Sequence, residues 1–201
     1  MLRTALAASI AVIAGILALS IGTDGFRAFT TEGARRLAVL RAPRAIPSDP
    51  LIDMNGQPIP LRGQPGQLVL VEFIYTSCPT ICTALGDAFA GLRNDVLARG
   101  LSGRVRMVSV SFDLARDGLQ ELRDYAALHA ADGGVWTIAR PRDEAALHRL
   151  LQAFGVVVVP DGHGGFVHNA AIHLVDDKGR LGAIYDLGEE AAVFATVEHG
   201  G

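Results

Sequence analysis

The sequence predicts an α/β domain, a mixed sheet covered by helices on both faces, behind an apolar N-terminal segment. Three observations lead there. From Leu68 to Phe154, apolar runs rich in β-branched residues alternate with stretches of helical spacing. The chain then offers two short strands joined by the turn sequence Asp176-Asp177-Lys178-Gly179, and a closing helix. Arg3 precedes an uncharged run from Thr4 to Thr23, close to the ~20 residues that cross a bilayer as a helix. Strand–helix alternation followed by a hairpin gives a sheet of mixed direction, buried between helices.

Taken in order, residues 1–23 are a membrane anchor or signal. The run exceeds the usual apolar core of a signal peptide, about 7–15 residues, so an anchor is expected. Ala18-Leu19-Ser20 is nevertheless compatible with cleavage. Arg27, Arg35, Arg36 and Arg41 follow the span, and basic residues tend to hold their side of a span in the cytoplasm. Short N-terminal spans commonly act as export signals, and an exported domain is the expectation. Residues 24–47 read as a tether, although Gly33–Leu40 has the spacing of a short amphipathic helix. The folded domain is expected over 48–201, entered past Pro43, Pro47 and Pro50.

Asn55-Gly56 between two short apolar runs reads as a hairpin turn, and Pro58 and Pro60 confine its second arm to an edge. Leu68–Tyr75 is a buried strand, followed after the cysteines by a helix through Leu85, Phe89, Leu92, Val96 and Leu97. Arg104–Phe112 is a second strand, with Asp113 just past its end. Gly118–Ala130 has helical spacing, Val135–Ala139 is a third strand, and Arg142–Phe154 is an amphipathic helix with Ala145, Leu147, Leu150, Leu151 and Phe154 on its apolar side. Val156–Val159 is a short apolar run, and Asp161–Gly165 a Gly-rich loop. Ala170–Val175 and Leu181–Tyr185 are the final strands, and Glu189–Val197 the closing helix. This order, with cysteines at the tip of the first core strand, suits a thioredoxin-like fold.

Composition narrows the chemistry. With 18 basic and 21 acidic residues the formal charge is −3, and there is no basic stripe with interleaved aromatics, so nucleic acid is not an expected partner. Two cysteines are too few for a disulfide framework or a four-cysteine zinc site. Three methionines exclude a methionine-rich metal tract.

Both cysteines, Cys78 and Cys82, lie where the Leu68–Tyr75 strand turns into a helix. Four-residue spacing at a helix start puts both sulfurs on one face of the first turn. The unpaired N–H groups and dipole at that end favour thiolate. Two thiolates there either close a disulfide or hold a soft ion. Thioredoxin-type redox pairs usually have two intervening residues; here there are three. If redox chemistry is the outcome, Cys78 is the expected exposed nucleophile and Cys82 the resolving thiol. A peroxidase site needs an arginine near an activated thiolate, and none flanks this motif in sequence.

An ion held by two thiolates needs a further donor. Two cysteines and one histidine form a three-coordinate set, matched to copper(I) and short of zinc's usual four. With weaker added ligands it also holds copper(II). Of the six histidines, His168 follows the Gly-rich loop and precedes a strand, where a loop beside the cysteine turn delivers it to the sulfurs. His163, in the same loop, is a weaker candidate. His173 reads as a strand residue, partly exposed or in the core, His129 and His148 as solvated helix positions, and His199 as tail. Asp113 is either an acceptor or weak ligand near the cysteines, or a helix N-cap or loop carboxylate. Glu72 points either toward the site or toward solvent at an edge.

At these residues the sequence resembles the Sco/SenC family of copper-binding, thioredoxin-fold assembly factors for cytochrome c oxidase. The resemblance is carried by Val71-Glu-Phe-Ile-Tyr-Thr-Ser-Cys-Pro-Thr-Ile-Cys82, Val108-Ser-Val-Ser-Phe-Asp113 and the stretch from Val167 to Arg180. It implies copper bound by Cys78, Cys82 and His168, with Asp113 at the family's acidic position. It implies a tether in the inner membrane, a domain facing the periplasm, and a partner in the dinuclear copper site of oxidase subunit II or another cupro-protein. The act is then copper delivery, not catalysis, or reduction of the partner's cysteines. Two departures stand out: the histidine is flanked by Val167 and Asn169, where the family commonly has Asp and Ser or Thr, and Leu114 replaces a proline after the aspartate.

Overall fold

The computed structural model describes residues 2–78 and 81–199. It divides into two units at Ala42/Pro43. In the first, α1 (Leu2–Gly22) is long and apolar enough to cross a membrane, a test that a signal sequence also passes. Helix α2 (Thr31–Arg41) lies inside the stretch read as a tether. The Thr30 hydroxyl accepts from the Gly33 N–H at 3.0 Å, and Glu32 takes bonds from Arg35 and Arg36 one turn on. A satisfied N-cap and in-register ion pairs are what a short helix of low apolarity requires.

The second unit is built on an eight-stranded sheet. Its strands are β1 (Arg44–Ala45), β2 (Leu51–Asp53), β3 (Pro58–Ile59), β4 (Leu68–Ile74), β5 (Val105–Ser111), β6 (Trp136–Pro141), β9 (Ile172–Val175) and β10 (Arg180–Tyr185). The order is β1-β10-β9-β4-β5-β6-β2-β3, with β4, β5 and β6 parallel and the other pairings antiparallel. Strands β7 (Val158–Pro160) and β8 (Phe166–His168) form a separate antiparallel hairpin. The helices are α3 (Ile81–Ala98), α4 (Leu119–His129), α5 (Glu144–Phe154) and α6 (Glu190–His199).

Strand β4 is buried at all 7 of its positions, as a central strand covered on both faces must be. Alternation then sends neighbouring side chains to opposite layers. Phe73 meets Phe154 of α5, ring centroids 5.1 Å apart, while on the other face Phe89 of α3 meets Trp136 at 5.8 Å. Glu72 falls on the Trp136 side, in register with Ser109 of β5. The three make a chain: the Trp136 indole N–H donates to the Ser109 hydroxyl at 2.8 Å, and that hydroxyl donates to the Glu72 carboxyl. Glu72 is thus interior, at neither an edge nor the solvent. Burial pushes its carboxyl up from 4.5 to about 8.

Three expectations are corrected. His129 does not sit on a solvated face; it is 5% exposed. Gly86 of α3 is the cause: a Cβ there would lie 2.6 Å from the Tyr125 hydroxyl and 2.7 Å from the His129 ring. Without that Cβ, α4 closes on α3 and buries both rings. Ala145 is exposed, because the core-facing stripe of α5 runs through Ala146, Leu147, Leu150 and Phe154. His168 lies within β8 rather than in a loop before a strand. A three-residue strand beside a Gly-rich loop is too short to leave a periodic signal.

Candidate metal centre

The cysteine turn grows out of the end of β4. After Ile74 the chain bends, and the Cys78 N–H donates to the Tyr75 carbonyl at 3.2 Å, folding Cys78 back over the strand tip. Its side chain is only 7% exposed, so Cys78 is not the exposed nucleophile expected from position alone. Thr76 is held from the other side: its N–H and hydroxyl reach the Asp117 carboxylate at 2.9 and 2.7 Å. Helix α3 begins at Ile81, so the Cys82 backbone is in its first turn. The N–H groups of a helix's first turn have no intrahelical acceptor. The Cys82 side chain lies outside the described residues.

His168 ends β8 opposite Val158 of β7. Its ring packs 5.1 Å from that of Phe112, the residue after β5. Phe112 in turn lies 5.5 Å from Tyr75 and 5.6 Å from Phe166. The Tyr75 hydroxyl both accepts from the Phe166 N–H at 3.3 Å and donates to the Phe166 carbonyl at 3.4 Å. This aromatic group docks the hairpin on the ends of β4 and β5. Through Phe112 and Tyr75, His168 reaches the strand tip that carries Cys78. Burial holds its imidazole below the usual histidine range, hence neutral and able to give a lone pair to a metal.

The residue after the histidine has a definite job. The Asn169 side chain accepts from the Val157 N–H at 2.7 Å and donates to the Gly155 carbonyl at 3.1 Å. Gly155 is the left-handed C-cap of α5, φ +66°, so Asn169 ties the base of the hairpin to a helix end.

Asp113 is 5% exposed, and its carboxylate is bonded to the Arg116 guanidinium. It does not cap α4, whose N-cap is Gly118. His163 is exposed near the hairpin tip, where the Asp161 carboxylate accepts from the His163 and Gly165 N–H groups at 2.7 and 2.9 Å. Tyr75, Ser77, Arg116, Asp161 and His163 line a cavity of about 380 Å³ beside the cysteine turn. An arginine does therefore flank the motif in space, though its guanidinium is bonded to Asp113 and the Gly164 carbonyl and lies over the Phe166 ring. His173 is a core residue, 1% exposed, packed on Phe73 and Phe154. His148 is exposed. The His199 side chain lies outside the described residues, among which no three potential ligands cluster.

Thr76, Arg116, Asp117 and Asn169 were not legible as site residues. Thr76 and Asp117 meet across 41 residues, Arg116 reaches Gly164 across 48, and Asn169 reaches Gly155 across 14, which spacing does not reveal.

A SCO1/SenC family model matches residues 45–198. The SCO1 protein homolog of Bacillus subtilis (strain 168) is 24% identical over 131 residues, 64% of this chain and 67% of that one. Among solved structures, BsSco, a member of the Sco family of cytochrome c oxidase assembly proteins with a disulfide switch, superposes with TM-score 0.68. It is 20% identical over 79% of this chain and 94% of that one. Bradyrhizobium japonicum ScoI with copper bound superposes with TM-score 0.60 at 22% identity, over 77% and 98%. The fold is thioredoxin-like, as the order of elements predicts, and the chain belongs to the SCO1/SenC family.

Proposed function

We propose, from membership of that family, that the chain binds copper(I) as cargo through Cys78, Cys82 and His168 and passes it to a cupro-protein partner. The expected partner is the dinuclear copper site of cytochrome c oxidase subunit II, with the domain on the periplasmic side of the inner membrane and α1 as its anchor. The carrying observation is the junction of β4, β5 and the hairpin: Cys78 and the neutral His168 ring are joined there through Tyr75 and Phe112. Thiolate and imidazole together suit copper(I). The burial that keeps His168 neutral also removes the proton that would compete with the ion. Asp113 acts on the site through Arg116 and is not counted as a ligand.

The test is a titration of the reduced full chain with copper(I) beside His168→Ala. One ion per chain, bound more weakly in the variant, supports the assignment. Equal affinity and stoichiometry remove His168 from the site.

A second reading is thiol–disulfide exchange with a partner's cysteines. It is supported by the placement of the Cys82 backbone in the first turn of α3, four residues after Cys78. The dithiol gives its two electrons to the partner disulfide and becomes a disulfide itself. In that case His168→Ala keeps reductase activity toward a disulfide-bearing partner peptide while losing copper. Loss of both favours the copper reading.

A further inference from the structure

We infer that the short turn from Asp113 to Asp117 is a bracket that sets the separation of the two halves of the site, Asp117 positioning the cysteine turn and Arg116 positioning the hairpin of His168. The inference rests on the copper reading for its purpose, but its geometry stands alone.

Asp117 is fully buried. Its carboxylate takes the Thr76 N–H, the Thr76 hydroxyl and the Ser111 hydroxyl, which joins the tip of β4 to the end of β5. Thr76 is two residues before Cys78. The turn itself is pinned to β6, because Arg140 donates to the Leu114 and Asp117 carbonyls at 3.2 and 3.1 Å. A buried carboxyl group needs hydrogen-bond donors to offset the hydration it has lost, and three converge here.

The neighbouring residue reaches the other way. Arg116 bonds Asp113 through Nε, donates through Nη1 to the Gly164 carbonyl, and stacks 5.2 Å over the Phe166 ring. Gly164 is four residues before His168. One planar guanidinium makes these contacts at once; a lysine ammonium has neither the fork nor the flat face. The hairpin seats closely: a Cβ on Gly165 would lie 2.6 Å from the Asp161 carboxylate and 3.1 Å from the Tyr75 hydroxyl. Adjacent residues of one turn thus hold the two ligand carriers, and the turn is fixed to three parallel strands. Neither residue touches the ion. Both set where its ligands stand.

The test separates the two arms. The full chain is compared in detergent with Arg116→Gln, Arg116→Lys, Asp117→Asn and Thr76→Ala, the last a milder probe should Asp117→Asn not fold. Three quantities are read: amide exchange across 164–168 in the reduced apoprotein, the alkylation rate of its cysteines, and copper(I) affinity against a chromophoric chelator. Arg116→Gln is expected to speed hairpin exchange by about tenfold with alkylation unchanged, and Arg116→Lys to fall between it and the parent. Asp117→Asn and Thr76→Ala are expected to change alkylation severalfold with hairpin exchange unchanged. Copper(I) affinity is expected to fall by about 10–100-fold in Arg116→Gln and in Asp117→Asn, as when groups that orient metal ligands are removed. Parental hairpin exchange in Arg116→Gln, or both carriers moving together in every variant, overturns the bracket. If the parent binds no copper, the proposed function fails while exchange and alkylation still decide the bracket.

Discussion

Strand β4 and the β7–β8 hairpin each carry one expected ligand, and they are built in different ways. All 7 residues of β4 are buried, between two strands and two helical layers. The hairpin has three residues per strand and stands outside the main sheet. Its outer face shows Val157, Val159 and Val167 to solvent at 61%, 52% and 65%. What holds it is a ring cluster, Asn169 and Arg116. Elements with few buried apolar contacts open at low cost, whereas core strands open only with the whole domain. Under the proposed function, this gives the ion one firmly held ligand carrier and one that opens at lower cost, which suits release.

The contrast makes graded predictions. The largest effect belongs to the core: Phe73→Ala removes a ring packed on Phe154 and His173 and is expected to cost about 3–5 kcal/mol in denaturant unfolding. A loss below about 1 kcal/mol would erase the distinction between the two regions.

Next is Glu72→Gln, which tests the buried chain under β4. The folded-state carboxyl, raised to about 8, keeps its proton where the unfolded chain has lost it. Stability therefore falls as pH rises from about 4.5 to about 8 and levels off above, at about 1.4 kcal/mol per pH unit inside that window. The amide keeps an oxygen for the Ser109 hydroxyl and carries no titrating proton. It should flatten that slope and leave the variant more stable at pH 8, by up to about 4 kcal/mol. Parallel pH–stability curves for the two proteins would contradict the buried, protonated assignment.

Smaller is Asn169→Ala, which cuts the two bonds at the hairpin base. It should cost about 1–2 kcal/mol, felt in local opening of the hairpin rather than in global unfolding. Amide exchange resolved by residue checks this, and a global loss as large as that of Phe73→Ala would show the hairpin to be part of the core. Smallest is Val167→Thr on the solvent face, expected within about 0.5 kcal/mol by thermal melting.

Legibility in the sequence followed the same divide. The run Leu68–Tyr75 and the spacing of Leu85, Phe89 and Leu92 carry their structure locally, so the strand, the helix and the cysteine turn between them were readable. So was the placing of His168 after the Gly-rich loop. The β7–β8 pairing was not, because three residues cannot show a period and the partner strands flank a loop. The burial of His129 depends on a missing Cβ at Gly86, on another helix. Arg116 and Asp117 look like surface charges of a loop until the fold brings Gly164 to one and Thr76 to the other. Glu72 read as ambiguous because a carboxylate in an apolar run is informative only once its strand is known to be central.

The most direct test of the central claim is X-ray absorption at the copper edge of the copper(I)-loaded full chain beside its His168→Ala variant. Two sulfur scatterers and one imidazole nitrogen are expected in the parent, with the nitrogen absent from the variant. An unchanged spectrum, or two sulfurs alone in both proteins, would contradict a site shared between the strand and the hairpin.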